Sequence, residues 1–346
     1  MNPRIRFALM SAIGAVVFIG LLWIVDVEKV YEAIVRASPA WIMVSAVATV
    51  GVFAVRAWRW KLLLQPSQNS VRTASTFWIT TLGAMVNMLV PVRLAGEFVR
   101  AFVVDRRENT GFFQGLSSIV VERLLDLLAI VTLALVSLLM LPEVPDALGV
   151  LVNFTRGIAV ATVAVLAVIF FGCRRQPAVI RVLTLILRRI PILREKWRSR
   201  LVELAHSLMN GAKAISEKRR TFVLILLSSW AVWGLTFFSI YVLFEAFGYE
   251  ASVPIVLFGA MLLSLSFIFP ASPGYVGTDE AYWSLIFVAL GFAQLNLTLA
   301  IGIMSHIIVI ITTIALGSLS ITWLGMSASE VFSFRQISQA KAATVK

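Results

Sequence analysis

Residues 87–100, NMLVPVRLAGEFVR, and residues 267–280, FIFPASPGYVGTDE, decide how this chain folds. Each lies inside an apolar segment and runs from a proline through small residues to a carboxylate, Glu97 in the first and Asp279 and Glu280 in the second. A membrane helix tolerates so many helix breakers and charges only where they line a site enclosed by protein. We therefore predict two broken helices, re-entrant hairpins that enter the membrane from opposite faces and meet near its middle.

The composition excludes an ordinary soluble domain. Of the 346 residues, 60% are hydrophobic, and the mean hydropathy is +0.92, as in polytopic all-α membrane proteins. The net charge of +12 does not indicate nucleic acid, because the basic residues gather at the ends of apolar runs, as the positive-inside bias requires. The single cysteine, Cys173, cannot form an internal disulfide, and no Cys/His spacing predicts a metal site or a cofactor.

The apolar runs predict the path of the chain through the membrane. The predicted spans and hairpin arms are 7–25, 39–55, 73–92, 116–141, 148–172, 221–244, 253–270, 281–291 and 296–324. Among the basic residues, only Lys29, Arg36 and Arg156 fall on the outer side of this topology, which places both termini in the cytoplasm. We expect a single transmembrane domain over residues 1–346, in a bacterial inner membrane.

One pattern occurs twice along the chain. A span, an apolar arm, a break with a carboxylate, a short return and a span describe residues 39–141 and again 221–324, with the second unit starting on the opposite side. Opposed units are typical of inverted-repeat transporters, whose sites lie at discontinuous helices near the midplane. Between them, residues 174–220 are basic with apolar residues at helical spacing, which predicts an amphipathic helix on the cytoplasmic leaflet. The alternative is a solvated linker.

Charged residues of the first stretch suggest a phosphate site. Arg93, Glu97 and Arg100 share one face if this stretch is helical. One carboxylate neutralises one guanidinium, so a positive charge is left over, and guanidinium groups match phosphate oxygens. We expect Arg93 or Arg100 to meet a lipid phosphate. In the alternative, Arg100 reaches the cytoplasmic surface and Glu97 pairs with Arg93 for structural reasons.

The neighbouring spans carry further charges. Glu122 and Asp126 lie four residues apart, and Arg123 and Asp126 lie three apart, so their side chains are neighbours on one helix. They are predicted either to neutralise the hairpin arginines in a packed charge network or to lie at a cytoplasmic helix end. An interfacial anchor of basic and aromatic residues is predicted at the inner end of the second span, formed by Arg56, Trp58, Arg59, Trp60 and Lys61.

The second stretch contains the residues that break a helix. Pro270 and Pro273 remove backbone donors, and Gly274 and Gly277 permit positive φ and close approach. The chain is therefore predicted to bend here, as the break of a discontinuous membrane helix. The alternative is a periplasmic loop followed by a capped helix.

A helix is predicted to start after this break, near Thr278 or Asp279, with Asp279 and Glu280 at its positive end. Its free amides offer an anion site. His306, inside the last span, is interpreted either as a proton carrier or as a satisfied interhelical donor.

Three motifs carry a resemblance. PVRLAGEFVRAFVV (91–104), SSIVVERLLDLLAI (117–130) and FPASPGYVGTDEA (269–281) resemble the P-x-R-x-G-E, E-R-x-x-D and P-x-x-P-G-x-x-G-x-x-E patterns of the lysylphosphatidylglycerol synthase transmembrane region family. The resemblance implies lipid translocation, as in the flippase half of the multiple peptide resistance factor and in relatives implicated in hopanoid or polyprenyl-linked lipid transport. It marks as motif positions Arg93, Gly96, Glu97, Glu122, Arg123, Asp126, Pro273, Gly274, Gly277 and Glu280. Tyr275 departs from the family, in which glycine is common at that place.

These features predict a passive or ion-coupled lipid flippase and no enzyme activity. Its partners would be membrane lipids, an anionic phospholipid or a lipid carrier, and the sequence leaves homo-oligomerisation open. No synthase domain lies within these residues, so aminoacyl transfer is not expected of them. Two rivals are an enzyme that moves a sugar or aminoacyl group onto a lipid carrier and a scaffold that binds anionic lipid through residues 174–220. No nucleotide- or metal-binding motif supports the enzyme.

Overall fold

A computed structural model describes residues 3–64, 71–90, 94–141, 149–174, 218–266, 271–292 and 294–327, with residue 330 and scattered positions between 180 and 206. Within these residues the secondary structure is helical, with no β-strand, which confirms the all-α prediction. Most of residues 174–220, on which the prediction of an amphipathic helix rests, lie outside the described residues, as do Arg93 and Pro270.

The helices follow the predicted apolar runs. In chain order they are α1 (Pro3–Ile24), α2 (Val27–Arg36), α3 (Pro39–Leu64), α4 (Thr73–Leu89), α5 (Ala95–Glu108), α6 (Phe112–Leu139), α7 (Gly149–Arg174), α8 (Arg219–Ala246), α9 (Val253–Ser266), α10 (Thr278–Ala289) and α11 (Leu295–Trp323). A 3₁₀ turn, Pro273–Tyr275, precedes α10. The predicted arm 73–92 is shorter as a helix: Val90 is extended, because a residue before proline is disfavoured in the helical region.

Helix length and composition indicate a multi-pass membrane protein. Within the described ranges, α3, α8 and α11, with 26, 28 and 29 residues, are long and apolar enough to cross a membrane. Two further helices, α1 and α2, form an apolar pair bent by 91°. The bend is fixed at Asp26, whose side chain accepts a hydrogen bond from the Lys29 amide and so caps α2.

The order of the helices is compatible with the predicted pattern of two units, which stays a prediction. A long helix, a hairpin and a long helix occur as α3, α4–α5, α6 and again as α8, α9–α10, α11. The first helices of the two units pack antiparallel. Near one end, the Ser45 hydroxyl donates to the Ser239 carbonyl at 2.8 Å, and near the other, Arg59 donates to the Ser229 hydroxyl at 3.0 Å. Antiparallel first helices are what opposed units require, while the inverted relation of the whole units stays a prediction.

Glycines let each hairpin close on itself. A Cβ built on Gly96 of α5 would collide with the carbonyl oxygen of Gly83 in α4, so the two backbones touch there. In the second hairpin, a Cβ on Gly259 of α9 would lie 2.6 Å from the Phe287 ring of α10. A side chain at either position would force the two arms apart.

The two stretches that were predicted to meet are in contact through Asn87. Its side-chain oxygen accepts a hydrogen bond from the Gly96 amide at 2.7 Å, within the first hairpin. Its backbone carbonyl lies 3.4 Å from the Tyr275 hydroxyl, which donates to it from the 3₁₀ turn of the second stretch. The depth of this contact in a membrane stays a prediction.

Candidate functional site

Charged side chains from three helices gather inside the protein, where apolar packing would be expected. We use the term charge cluster for Arg56 and Arg59 of α3, Glu97 and Arg100 of α5, and Glu122, Arg123 and Asp126 of α6. Arg59 and Glu122 have no exposed side-chain surface at all. Burial of this kind is tolerated only when charges are paired and hydrogen-bonded.

Glu122 is the centre of the cluster. One of its carboxylate oxygens accepts hydrogen bonds from Arg59 at 3.2 Å and from Arg123 at 2.9 Å, and the other accepts from Arg100 at 2.6 Å. A single carboxylate thus joins α3, α5 and α6. The packed charge network predicted for these residues is present, with Glu122 fully buried, while the position of this part of α6 relative to the hydrocarbon stays a prediction.

Asp126 lies one helical turn further along α6 and holds Arg59 from a second side. Arg59 Nη2 is 2.8 Å from Asp126 Oδ1, which also accepts a hydrogen bond from the Trp233 indole at 3.0 Å. Arg123 Nη1 lies 3.3 Å from the other oxygen of Asp126. Trp233 belongs to α8, so the cluster connects the two units.

Arg100 is enclosed between carboxylates and an aromatic ring. Its guanidinium is 3.0 Å from Glu97 and 2.6 Å from Glu122, and it lies over the Trp60 ring at 4.3 Å from the centroid. The Trp60 indole in turn donates to the Ser118 hydroxyl at 2.9 Å. Both terminal nitrogens of Arg100 pair with carboxylates here, and its contact with a lipid phosphate stays a prediction. The alternative, that Arg100 reaches the cytoplasmic surface, is wrong, since only 3% of it is exposed.

The described members of the cluster carry an excess of positive charge. Four guanidinium groups face three carboxylates, which leaves one positive charge among the described members. Arg123 reaches the surface, with 40% of its side chain exposed, and Arg56 is partly exposed and packs on the Trp233 ring at 5.2 Å. Within the described part of the chain, the Nε atoms of Arg56, Arg59, Arg100 and Arg123 are all buried donors without a hydrogen-bond acceptor. Arg56 and Arg123 are the partly exposed members of this set, so they are the arginines of the cluster that an anion arriving from outside can meet.

The interpretation of the basic end of the second span as an interfacial anchor was wrong for two residues. Arg59 and Trp60 are both 0% exposed and belong to the protein interior. Trp58, by contrast, is 39% exposed. The sequence does contain an indication of this burial. Arg56 and Arg59 are three residues apart and follow the apolar run without a helix breaker, so both can lie on one inward face of the helix.

The second stretch forms a turn that the sequence located correctly. Gly274 and Gly277 have φ values of 66° and 82°, and Tyr275 shares this left-handed region with φ 62°. Pro273 opens the 3₁₀ turn. A Cβ at Gly277 would collide with the carbonyl oxygen of Gly14, so α1 lies directly on this turn. Glycine is required at position 277 both by its conformation and by this approach.

The helix after this turn starts at Thr278, as predicted, but its cap differs from the expected one. The Gly277 amide donates to a Glu280 carboxylate oxygen at 2.7 Å, so the N-terminus of α10 is capped by a side chain of its own first turn. The other oxygen of Glu280 is 2.7 Å from His306 Nδ1, and His306 Nε2 is 2.9 Å from the Gly274 carbonyl. Asp279 is partly buried in the first turn of α10. His306 is thus brought to the second stretch, which sequence reasoning did not foresee.

The structure and the comparisons define a class and a family. The class is a polytopic helical membrane protein with an internal charge cluster. Residues 11–317 match the family described as "Lysylphosphatidylglycerol synthase TM region", and the chain belongs to that family. The resemblance seen in the three motifs is confirmed.

The following relatives come from archaea. A "UPF0104 membrane protein" of Methanothermobacter thermautotrophicus is 21% identical over 335 residues, covering 93% of this chain and 97% of the relative. A second protein of that name and organism is 26% identical over 294 residues, covering 81% and 82%. "Glycosyltransferase AglD" of Haloferax volcanii is 26% identical over 330 residues, 88% of this chain but 52% of the relative. No solved structure matches this chain.

Proposed function

We propose that this protein is a flippase that moves a phosphate-bearing lipid, a phospholipid or a polyprenyl- or hopanoid-type lipid, from one membrane leaflet to the other. The observation that carries the proposal is the charge cluster, with its surplus positive charge on the accessible pair Arg56 and Arg123. Ionisable residues inside a membrane segment are costly and are retained chiefly for function. A lipid phosphate is the anion that reaches such a site from within a bilayer.

The physical task of a flippase explains why a cluster of this kind is useful. Acyl or prenyl tails stay in the bilayer throughout, so the main barrier is the removal of the headgroup from water. Arg123 and Arg56 would replace water at the phosphate oxygens, while the carboxylates of Glu122 and Asp126 hold the guanidiniums in place. The paired arginines Arg59 and Arg100 would then act as the rigid support of the site rather than as lipid contacts.

The fold supports a transporter built from two opposed units. The antiparallel packing of α3 and α8 is consistent with an inverted repeat, and the hairpins α4–α5 and α9–α10 meet at Asn87. In the proposed arrangement the first hairpin enters from the cytoplasm and the second from the outside, with both termini cytoplasmic. The described relatives come from archaea, so the bacterial inner membrane stays a prediction.

A rival function is favoured by one relative. Glycosyltransferase AglD aligns with this chain over about half of its own length, 52%. An accessory role in the transfer of sugars to lipid carriers is therefore the second candidate. It predicts that a glycosylated lipid accumulates or disappears when the gene is deleted, with no exchange of lipid by the purified protein.

Lipid exchange between the leaflets of proteoliposomes tests the flippase. A hydrogen bond to a charged group contributes about 1.5–3 kcal/mol, and about 1.4 kcal/mol is a tenfold change in rate. We therefore expect Arg123→Gln and Arg56→Gln each to slow the exchange of a fluorescent anionic phospholipid about 10- to 100-fold. Arg36→Gln is the matched control, because that guanidinium is 79% exposed on α2, and its exchange should equal that of wild type.

Glu97→Gln is the second test of the same idea. Glu97 contributes a carboxylate to Arg100 on the hairpin itself, and we expect a folded protein with slowed exchange. Wild-type exchange in Arg56→Gln, Arg123→Gln and Glu97→Gln would exclude the flippase. A loss of function confined to a deletion within residues 174–220 would favour the lipid-binding scaffold instead.

A further inference from the structure

We propose that Glu280 and His306 form a proton-binding site whose loading and release drive the lipid movement, an inference that rests on the proposed flippase. The pair lies outside the charge cluster and is not needed for binding phosphate. Both side chains are buried, with 4% of each residue exposed. They join α10 to the middle of α11 and lie beside the turn of the second stretch.

The geometry around the imidazole requires a proton. His306 Nε2 is 2.9 Å from the Gly274 carbonyl oxygen, which only accepts, so Nε2 must carry a hydrogen. Nδ1 is 2.7 Å from a carboxylate oxygen of Glu280. That contact also needs a hydrogen, either on Nδ1 of an imidazolium or on the carboxyl group of Glu280. In both cases the pair holds one proton more than a carboxylate with a neutral ring would hold.

Loss of that proton must change the contacts. A neutral imidazole has one ring hydrogen, and it would face two acceptors, Glu280 and Gly274, so one contact becomes a repulsion between lone pairs. Glu280 cannot easily turn away, because its other oxygen accepts from the Gly277 amide at 2.7 Å. The ring would therefore release Gly274, which lies in the turn. The proton balance is simple: one proton binds the Glu280–His306 pair from one side of the membrane and leaves on the other.

Few other charges act on this site. Among the described residues, Asp279 of α10 is the charged group besides Glu280 that acts on the His306 ring. From Thr73 to Leu89, α4 contains no titratable side chain. The charged residues of α2 lie beside Asn296, about 15 Å along α11 from His306 at the helical rise per residue. The titratable groups of the neighbouring helices α3 and α8 lie elsewhere. Arg56 and Arg59 belong to the charge cluster, Lys61 bonds Thr73, and Tyr241 bonds Glu245. Arg219 and Arg220 are exposed at the start of α8.

A contiguous path connects the proton site to the charge cluster. Gly274 is followed by Tyr275, whose hydroxyl donates to the Asn87 carbonyl, and the Asn87 side chain accepts from the Gly96 amide. Gly96 precedes Glu97, a member of the cluster. A ring that holds or releases Gly274 would thus move the turn against the first hairpin. Such a path is a physical basis for coupling, and coupling itself has to be measured.

The protonation state can be read without any transport assay. The chain has two histidines, and His206 is exposed, so a His206→Gln variant leaves His306 as the sole imidazole. Nitrogen-15 NMR of this variant should show a hydrogen on Nε2 and a second proton shared between Nδ1 and Glu280 near neutral pH. Glu280→Gln should remove the shared proton. A neutral ring with an unprotonated Glu280, unchanged from about pH 5 to pH 9, would overturn the proposal.

The coupling is tested in proteoliposomes with a pH gradient imposed in either direction. With one proton per lipid, one pH unit corresponds to about a tenfold difference in lipid between leaflets. We expect that ratio in wild type and in His206→Gln, inverted when the gradient is reversed, and a ratio near one in His306→Gln. Exchange that ignores the gradient in wild type would overturn the coupling and leave the flippase intact. Absence of exchange under every condition would remove the flippase and the coupling together.

Discussion

Replacing Glu122 by glutamine is the sharpest test of the charge cluster. The change preserves shape but removes the negative charge that Arg59, Arg100 and Arg123 share. If the amide oxygen takes the position bonded by Arg59 and Arg123, the amide nitrogen faces Arg100 at 2.6 Å, and two donors are opposed. Removing one partner from a buried ion pair destabilises by about 3–5 kcal/mol. We expect a loss of that size for Glu122→Gln.

Reversible unfolding in mixed detergent micelles measures this loss. Glu250→Gln is the matched control, because Glu250 is an exposed loop residue and should change the free energy of unfolding by less than about 0.5 kcal/mol. The double variant Arg59→Met with Glu122→Gln adds a thermodynamic cycle, in which the coupling energy should be about 0.5–3 kcal/mol. If Glu122→Gln were as stable as Glu250→Gln, the three arginines would not depend on this carboxylate, and the reasoning about the cluster would be refuted.

Two further predictions concern packing and topology. Gly96→Ala should lower the free energy of unfolding by about 1–3 kcal/mol, because the added Cβ would collide with the Gly83 carbonyl. The control Gly234→Ala, whose Cβ would have no atom within 4 Å, should be neutral or stabilising by up to about 1 kcal/mol. Equal free energies of unfolding for the two variants would contradict the close contact of α4 and α5. Cys173, at the end of α7, should resist a membrane-impermeant thiol reagent added outside intact cells and react after the membrane is opened, and labelling from outside would invert the proposed topology.

The parts of the fold that depend on local chemistry were predictable from the sequence. The helix α4 ends before Pro91 because proline restricts the backbone. The helix α10 begins at Thr278 because Gly277 before it adopts a positive φ that other residues avoid. The network around Glu122 was predictable as one of two alternatives, because Glu122, Arg123 and Asp126 are close in sequence and become neighbours on any helix.

The parts that depend on which helix lies beside which were not predictable. Arg59 looked like an interfacial residue because its neighbours in sequence are basic and aromatic, but its position is decided by Asp126 of α6 and Ser229 of α8. His306 reads as an ordinary polar residue in an apolar helix until Glu280 and Gly274 are placed against it. A charged residue can be buried when a helix that is distant in sequence supplies its oppositely charged partner. A single sequence does not show which helices supply such partners.

Asn87 binds both broken stretches with one residue, through its side chain on one side and its backbone on the other. The two stretches are therefore coupled, because a displacement of either one would lengthen a hydrogen bond of Asn87. In the flippase proposed above, a movement of one hairpin would be transmitted to the other through this single residue.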